Sequence, residues 1–168
     1  MFAKMDMKKK MLFKETFETI VTAVVLALII RSFVIQPYKI PTGSMEPTLL
    51  PRDRILVLRY IYGIRIPFTF KRIAKFKTPQ IGDIVVFNYP EETKRAFIKR
   101  CIARAGDTIE IENGQIWLNR ASLKKDPINK IYYYNRGNFG REGEELKVPR
   151  DSYFVLGDNS ASSKDSRY

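Results

Sequence analysis

The sequence predicts a mostly β fold, with an antiparallel β-sheet domain preceded by a single N-terminal transmembrane helix. From Arg52 onward, short β-branched or aromatic runs such as "RILVLRY", "GDIVVFNY" and "SYFVLGDN" are bounded by Gly, Pro, Asn or Asp, as strands are bounded by turns. One apolar run precedes them, and no later segment has a long helical period.

The N-terminal segment is laid out like a membrane anchor. A lysine-rich stretch, residues 1–16, leads into the apolar run Thr19–Ile30, "TIVTAVVLALII". A helix of that length spans only about 18 Å, against roughly 30 Å of hydrocarbon, so we extend the predicted anchor to residues 17–35. If the lysines stay in the cytoplasm, residues 36–168 form an extracytoplasmic domain.

Two other interpretations of the apolar run are a buried core helix and a cleavable signal peptide. The length of the run is close to that of a core helix. A signal peptide is expected to end in an A-x-A-like cleavage site, whereas Ile30 is followed by "RSFVIQPYK". We therefore prefer the anchor, with the core helix as the stronger alternative.

The clearest predicted strand pair is a hairpin around Asn113-Gly114. The sequence "TIEIENGQIWL" alternates apolar and polar residues on both sides of this dipeptide, which favours a two-residue turn. We expect Ile109, Ile111, Ile116 and Leu118 to point to one inner face.

Residues 60–76, "YIYGIRIPFTFKRIAKF", mix aromatic and aliphatic residues with Arg and Lys. An ordinary hairpin with one buried face explains this pattern. A surface that enters anionic lipid, or one that binds single-stranded nucleic acid, also fits it. Because an anchor precedes the segment, we expect anionic membrane phospholipids as partners and no nucleic acid.

Composition limits the possible chemistry. The 168 residues carry a formal charge of +12, which favours an anionic partner, and they include one cysteine and no histidine. The absence of histidine excludes a Ser-His-Asp triad, a Cys-His pair and the usual His-containing zinc sites. We expect no metal and no cofactor.

A serine in the proline-bounded stretch "PYKIPTGSMEPTLLPRD" is a candidate nucleophile. Gly43 precedes Ser44 and lets the backbone turn, although such a serine is more often a turn or helix-cap residue. Without histidine, the remaining base is a lysine made neutral by burial or by a nearby positive charge. Lys99 is the best candidate because Phe97 and Cys101 share its face of an apolar strand.

Four segments together resemble the successive conserved motifs of bacterial type I signal peptidases. They are "IPTGSMEPTL", "GDIVVF", "FIKRCIARAGD" and "LGDNSASSKDSRY", in the order found in that family and after a membrane segment. The resemblance extends from the anchor to the last residue.

The resemblance implies a role for several residues. Ser44 is the nucleophile and Lys99 the general base, and the Ser44 backbone N–H forms the oxyanion hole with the hydroxyl of Thr42, where many relatives have serine. Supporting and specificity roles fall on two further groups: the site-support residues Ser163, Asp165 and Arg167, of which Ser163 hydrogen-bonds the lysine, and the substrate-pocket residues Ile40, Met45 and Ile98.

The implied function is that of a membrane-anchored serine endopeptidase. It removes N-terminal signal peptides from exported preproteins, cleaves after small residues at an A-x-A-like site, and works on the extracytoplasmic side of the bacterial cytoplasmic membrane. Its partners are preprotein signal peptides. Two other classes remain open: a soluble self-cleaving Ser-Lys protease of the repressor type, and a membrane-tethered binding module without catalysis.

The last motif departs from the common family form "GDNRDNS", because residues 160–162 read Ser-Ala-Ser. We expect this change to alter the charge network of the loop and to leave Ser44 and Lys99 in place. Relatives continue beyond the position of Tyr168 with another strand, so we expect the complete protein to extend further.

Overall fold

The computed structural model describes residues 2–31, 35–58, 61–62, 64–65, 72–74, 77–89 and 92–168. Its elements follow one another as α1 (Phe2–Ile29), β1 (Ile35–Lys39), β2 (Arg54–Leu58), β3 (Ile64–Arg65), β4 (Arg72–Ala74), β5 (Ile84–Tyr89), β6 (Glu92–Arg104), β7 (Thr108–Glu112), β8 (Gln115–Leu118), β9 (Ala121–Ser122), β10 (Leu146–Lys147) and β11 (Tyr153–Leu156). Two short 3-10 helices cover Ile128–Lys130 and Ser160–Ser162.

The chain forms two compact units. One contains Met1–Pro37 and Leu56–Lys77, and the other contains Tyr38–Ile55 and Thr78–Tyr168. All of the predicted site residues belong to the second unit. The prediction of mostly antiparallel β structure after one N-terminal helix is confirmed.

The N-terminal helix has different bounds from those predicted for the anchor. α1 begins at Phe2 and runs for 28 residues, and Ile35, the last residue of the predicted anchor, begins β1. Lysine, methionine and glutamate are good helix formers, so the start of the apolar run is not the start of the helix. Among the described residues, no helix combines the length and the apolar composition that a membrane span requires.

The second unit is built around two antiparallel sheets. β6 pairs with β5 on one side, where Val85 lies opposite Lys99, and with β11 on the other, where Leu156 lies opposite Arg100. The other sheet has the strand order β10-β7-β8-β9. β6 is therefore the middle strand of its three-stranded sheet.

The predicted hairpin forms in the expected register. Ile111 pairs with Ile116 across the turn, and Asn113 and Gly114 have φ angles of 50° and 74°. Two successive positive φ angles favour glycine and asparagine, which explains the choice of residues. Ile109, Ile111 and Ile116 are buried, and Leu118 is partly buried against the same cluster, so the predicted inner face is confirmed.

Two apolar clusters support this unit. The larger one joins the hairpin to the end of β6, and its buried members are Ile102, Ala103, Ile109, Ile111, Ile116, Ile128, Tyr133, Val148, Phe154 and Leu156. The smaller one contains Ile40, Met45 and Ile98. The smaller cluster packs the segment that carries Ser44 against β6.

Residues 60–76 are described only in part. Ile64 pairs with Ala74 and Arg65 with Arg72, so β3 and β4 form the hairpin expected there. Most side chains of this segment lie outside the described residues. The interpretation that they enter lipid concerns these side chains and stays a prediction.

Candidate active site

Ser44 lies in a compact turn. The Glu46 N–H donates to the Gly43 carbonyl at 3.1 Å, and the Leu49 N–H donates to the Met45 carbonyl at 3.0 Å. Met45 is buried in the smaller apolar cluster, while Ser44 is half-buried. The apolar contact thus fixes the turn and leaves the serine hydroxyl beside β6.

Lys99 projects from the middle strand toward this turn. Its Nζ lies 2.7 Å from Ser44 Oγ, within hydrogen-bond distance, and the residue is only 4% exposed. The same Nζ lies 5.4 Å from the centre of the Phe97 ring, on the strand face where Phe97 was expected. The structure therefore brings the two predicted dyad residues together, although 55 positions separate them in the sequence.

Burial lowers the pKa of the Lys99 amine from its ordinary value, because the charged ammonium form loses its hydration. The nearby carboxylate of Asp165 opposes this effect, the positive charge of Arg167 adds to it, and Asp158 opposes it more weakly. The result is a lysine that loses its proton at a lower pH than an exposed one.

Asp165 and Arg167 form a bidentate ion pair beside the lysine. Arg167 Nε and Nη2 donate to the two Asp165 carboxylate oxygens at 2.7 and 2.8 Å, and neither side chain is exposed to solvent. The Gly157 N–H donates to the same carboxylate at 3.0 Å. The Asp165 carboxylate thus connects Gly157, directly after β11, to Arg167 near the end of the "LGDNSASSKDSRY" segment.

Ser160, one of the three residues that depart from the common motif, takes part in this network. Its Oγ accepts hydrogen bonds from Arg167 Nη1 at 2.7 Å and from the Tyr134 N–H at 2.8 Å, and its carbonyl accepts from Arg167 Nη2 at 3.0 Å. A small hydroxyl residue therefore satisfies the buried guanidinium at a position where relatives have arginine.

Ser163 is buried as expected, but its hydroxyl is not hydrogen-bonded to the lysine. Among the described residues, Ser163 Oγ has no hydrogen-bond partner. It lies against Gly157, where an added Cβ would come within 2.2 Å of Ser163 Oγ and 2.4 Å of the Ser44 carbonyl oxygen. Ser163 therefore contacts the backbone next to the nucleophile, and its expected hydrogen bond to Lys99 is not formed here.

The two predicted oxyanion-hole donors are both available. Thr42 is exposed in the bend before the Ser44 turn. Within the described part of the chain, neither the Thr42 hydroxyl nor the Ser44 N–H makes a hydrogen bond. Both groups can therefore donate to a bound ligand.

The three predicted pocket residues form one apolar cluster. Ile40, Met45 and Ile98 are 2%, 1% and 6% exposed and pack together next to Ser44. They form a buried aliphatic cluster that includes the chain neighbours of Ser44 and Lys99. Their role in choosing a substrate stays a prediction.

Sequence reasoning gave no role to a second group of residues that holds the Ser44 turn. Thr48 Oγ1 donates to Asp158 Oδ2 at 2.5 Å, and Asp158 also pairs with Arg100 on β6. Asn159 donates from its backbone N–H to the Ser44 carbonyl at 3.1 Å and from its side chain to the Gly43 carbonyl at 3.0 Å. Asp158 and Asn159 lie within the recognised "LGDN" motif, which was the available signal.

The described residues contain no group of three or more His, Cys, Asp or Glu side chains able to hold a metal ion. What the arrangement can do chemically is activate a hydroxyl. A buried lysine with a lowered pKa lies within hydrogen-bond distance of the serine hydroxyl, so it is able to accept the serine proton.

Comparison with known proteins identifies the family. The profile of the family described as "Signal peptidase, peptidase S26" matches residues 13–168. A "Signal peptidase I" of Pseudomonas fluorescens is 34% identical over 165 residues, which cover 85% of this chain and 58% of that protein. "Signal peptidase I P" of Bacillus subtilis subsp. natto is 36% identical over 167 residues, which cover 95% of this chain and 81% of that protein. The chain therefore belongs to the signal peptidase (peptidase S26) family.

A solved structure is also similar. The crystal structure of a signal peptidase I from Enterococcus faecalis V583 shares 30% sequence identity, covers 55% of this chain and 86% of that chain, and has a TM-score of 0.42. The family assignment rests on the sequence matches and not on this superposition.

Proposed function

We propose that this protein is a serine endopeptidase that removes N-terminal signal peptides from exported preproteins. Ser44 is the nucleophile and Lys99 the general base. The observation that carries the proposal is the 2.7 Å distance between Lys99 Nζ and Ser44 Oγ at a buried position. Membership in the signal peptidase family supports the choice of substrate class.

The reaction starts with a neutral Lys99 amine. Nζ takes the Ser44 hydroxyl proton while Oγ attacks the carbonyl carbon of the scissile bond, and the carbonyl electron pair moves to the oxygen. The C–N bond then breaks, and the leaving amine receives the proton from the Lys99 ammonium. Water hydrolyses the acyl-serine in the same way: Lys99 accepts the water proton and returns it to Ser44.

The negative oxygen formed in this step needs hydrogen-bond donors. We assign this role to the Ser44 N–H and the Thr42 hydroxyl, which have no other hydrogen-bond partner among the described residues. Donors fixed before the reaction stabilise the transition state more than the ground state.

The buried pair Asp165–Arg167 acts on the lysine through its charges. Asp165 raises the pKa of Lys99 and Arg167 lowers it, so the two opposite charges partly cancel each other's effect on that pKa. Ser163 adds packing next to the Ser44 backbone through Gly157. We assign these three residues to site support.

Specificity for small residues follows from the aliphatic cluster. Ile40, Met45 and Ile98 pack together in one buried cluster, and we assign to them the aliphatic contact with a substrate side chain beside Ser44. Small side chains such as alanine fit there better than large ones, which agrees with an A-x-A-like cleavage site.

We further propose that the protein is attached to the bacterial cytoplasmic membrane through the apolar part of α1, with the domain that carries Ser44 on the extracytoplasmic side. The large apolar side chains of α1 are exposed, including Ile20, Val21, Val24, Leu26 and Ile29, which lie on all sides of the helix. A helix that is apolar all round is typical of one surrounded by lipid. The charge of +12 favours anionic phospholipids as further partners, and the proposal includes no nucleic acid.

The test is cleavage of a purified preprotein by the purified chain in detergent. We expect a shortened product whose new N-terminus follows an A-x-A-like sequence, as determined by mass spectrometry. Ser44→Ala is the control for a contaminating peptidase. If wild type and Ser44→Ala give the same product at the same rate, the proposal is wrong.

A further inference from the structure

We propose that Asn159 is a positioning residue that orients the Gly43–Ser44 peptide group so that the Ser44 N–H points at the oxyanion. The inference rests on the proposed serine chemistry and adds to it a residue that the dyad and its supporting ion pair do not include.

The contacts of Asn159 concentrate on the two carbonyl groups that flank Ser44. Its side-chain Nδ2 donates to the Gly43 carbonyl at 3.0 Å, and its backbone N–H donates to the Ser44 carbonyl at 3.1 Å. Nδ2 also lies 3.4 Å from Glu46 Oε2. Both neighbours of the amide nitrogen are acceptors, so the amide is held in one orientation.

The first of these contacts bears on the direction of the Ser44 N–H. The Gly43–Ser44 peptide bond is trans, and a trans peptide group is planar, with its C=O and N–H pointing in opposite directions. The Asn159 side chain and the Glu46 N–H both donate to the Gly43 carbonyl, at 3.0 and 3.1 Å, and together they hold it on one side and so fix the Ser44 N–H on the other. The Asn159 side chain thus helps to set the direction of the Ser44 N–H through the Gly43 carbonyl, which lies on the opposite side of the same peptide group.

Asn159 is well placed for this role because both of its neighbours are anchored. Asp158 pairs with Arg100 on the middle strand, and Ser160 accepts hydrogen bonds from the buried Arg167. Both neighbours are buried. The amide of Asn159 is thus mounted on a fixed backbone, and its position does not depend on the flexible end of a long side chain.

Asn135 offers a matched control. It is also half-buried, and its Nδ2 donates to two backbone carbonyls, those of Phe139 at 2.9 Å and Gly140 at 2.8 Å. None of these three residues contacts Ser44 in the described hydrogen-bond network. Changes at Asn135 therefore remove the same kind of bond without touching the Gly43–Ser44 peptide.

The experiment measures kcat and KM for preprotein cleavage by Asn159→Ala, Asn159→Asp and Asn135→Ala. Complete loss of an oxyanion donor typically costs about 100-fold to 1000-fold in kcat, so a misdirected donor is expected to cost about 10-fold to 100-fold. We expect this loss in Asn159→Ala with KM within about twofold. Asn159→Asp should lose more, because a carboxylate faces the Gly43 carbonyl, and Asn135→Ala should stay near wild type.

Two further measurements separate positioning from a loss of folding. Circular dichroism gives the folded fraction to which each rate is normalised. A substrate-derived peptide aldehyde forms a tetrahedral adduct with Ser44, so its affinity should fall by the same factor as kcat in Asn159→Ala. The pH midpoint of kcat should not move, because Lys99 is untouched.

A second substrate keeps this inference separate from the proposed function. Acylation of Ser44 by 4-nitrophenyl acetate transfers the acetyl group to Oγ and releases 4-nitrophenol, and it uses the same donors without requiring a signal peptide. If wild type fails to cleave preprotein but still shows Ser44-dependent acylation, the proposed substrate class is wrong. The acylation rates of the Asn159 variants then still test whether Asn159 positions the Ser44 N–H. Equal kcat values and acylation rates in folded Asn159→Ala and Asn135→Ala would overturn the inference.

Discussion

Arg100 and Asp158 form a buried bidentate ion pair between the middle strand and the loop that holds the Ser44 turn. Arg100 Nε and Nη2 donate to the two carboxylate oxygens at 2.8 and 2.6 Å, and the side chains are 6% and 0% exposed. Asp158 also accepts from Thr48 Oγ1 in the Ser44 turn. One carboxylate thus connects two segments of the site.

We expect Asp158→Ala to destabilise the protein strongly, because it leaves the Arg100 guanidinium buried without its partner. Breaking such a pair costs about 3–5 kcal/mol in the free energy of unfolding. Glu145→Ala breaks the exposed pair Arg120–Glu145 and should cost little, because solvent screens the attraction between exposed charges. Urea unfolding in detergent compares the two variants, and similar losses would show that burial does not matter here.

We expect Lys99→Arg and Ser44→Ala each to abolish preprotein cleavage while the fold stays intact. Arginine keeps its proton at any accessible pH and so cannot act as the base. The loss should reach about 10⁴-fold or more, as for members of other nucleophile–base units. Cys101→Ser, two residues along the same strand, is the control, and we expect little change in kcat. Substantial cleavage by folded Lys99→Arg would exclude Lys99 as the general base.

The pKa of Lys99 predicts two pH effects. Activity should rise with pH through the lowered pKa of this amine, with a midpoint below 10.5, because only the neutral form accepts the Ser44 proton. Between the lowered pKa and 10.5 the unfolded chain binds more protons than the native one, so stability should also rise with pH.

Lys99→Met removes this titration, and its unfolding free energy is the reference for wild type at several pH values. The difference in stability between the two proteins should change in favour of wild type as pH rises through that window. A difference that stays constant from neutral to alkaline pH would show that burial does not lower the pKa of Lys99.

We expect Gly157→Ala to reduce kcat, because the added Cβ would lie 2.4 Å from the Ser44 carbonyl oxygen and 2.2 Å from Ser163 Oγ. The Ser44 carbonyl is backbone, so relief of the clash shifts the nucleophile itself, and a shift of about 1 Å can cost about 100-fold. Gly143→Ala meets no atom within 4 Å but has a φ of 77°, so it reports the cost of backbone strain alone. Equal kcat values in the two variants would contradict the contact with Ser44.

We expect α1 to place its two ends on opposite sides of the membrane. Reporter domains fused after residues 12 and 120 should report the cytoplasm and the outside, respectively, because the lysine-rich start of α1 favours the cytoplasmic side. Both reporters on the same side would reject the single-span anchor.

The parts of the fold that were predicted from sequence are those fixed by local chemistry. Asn113-Gly114 sets the hairpin turn by itself, and the alternating isoleucines follow from the period of a strand. Lys99 could be selected because its strand neighbours are apolar. The sequence predicted an anchor over residues 17–35 and did not indicate that the helix begins at Phe2, because helix propensity continues through the charged residues that precede the apolar run.

The contacts behind the dyad could not be predicted, because they join positions far apart in the sequence. Asn159 and Gly43 are 116 positions apart, and no local sequence pattern indicates that the Asn159 side-chain amide donates to the Gly43 carbonyl. Ser160 departs from the family motif and was expected to alter a charge network, yet its hydroxyl satisfies Arg167. The hydrogen bond expected between Ser163 and Lys99 is not formed, since Ser163 Oγ has no hydrogen-bond partner among the described residues.

These distances along the chain also bear on the order of events during synthesis. Ser44 and Lys99 leave the ribosome well before Asn159 and Arg167, and long-range contacts of this kind form late in folding because the intervening chain has to close first. A nascent chain that has exposed Lys99 already carries the proposed nucleophile and base, but not Asn159, which we propose orients the Ser44 peptide. The peptidase is therefore expected to gain full activity only when its last motif docks, which limits cleavage by partly synthesised chains.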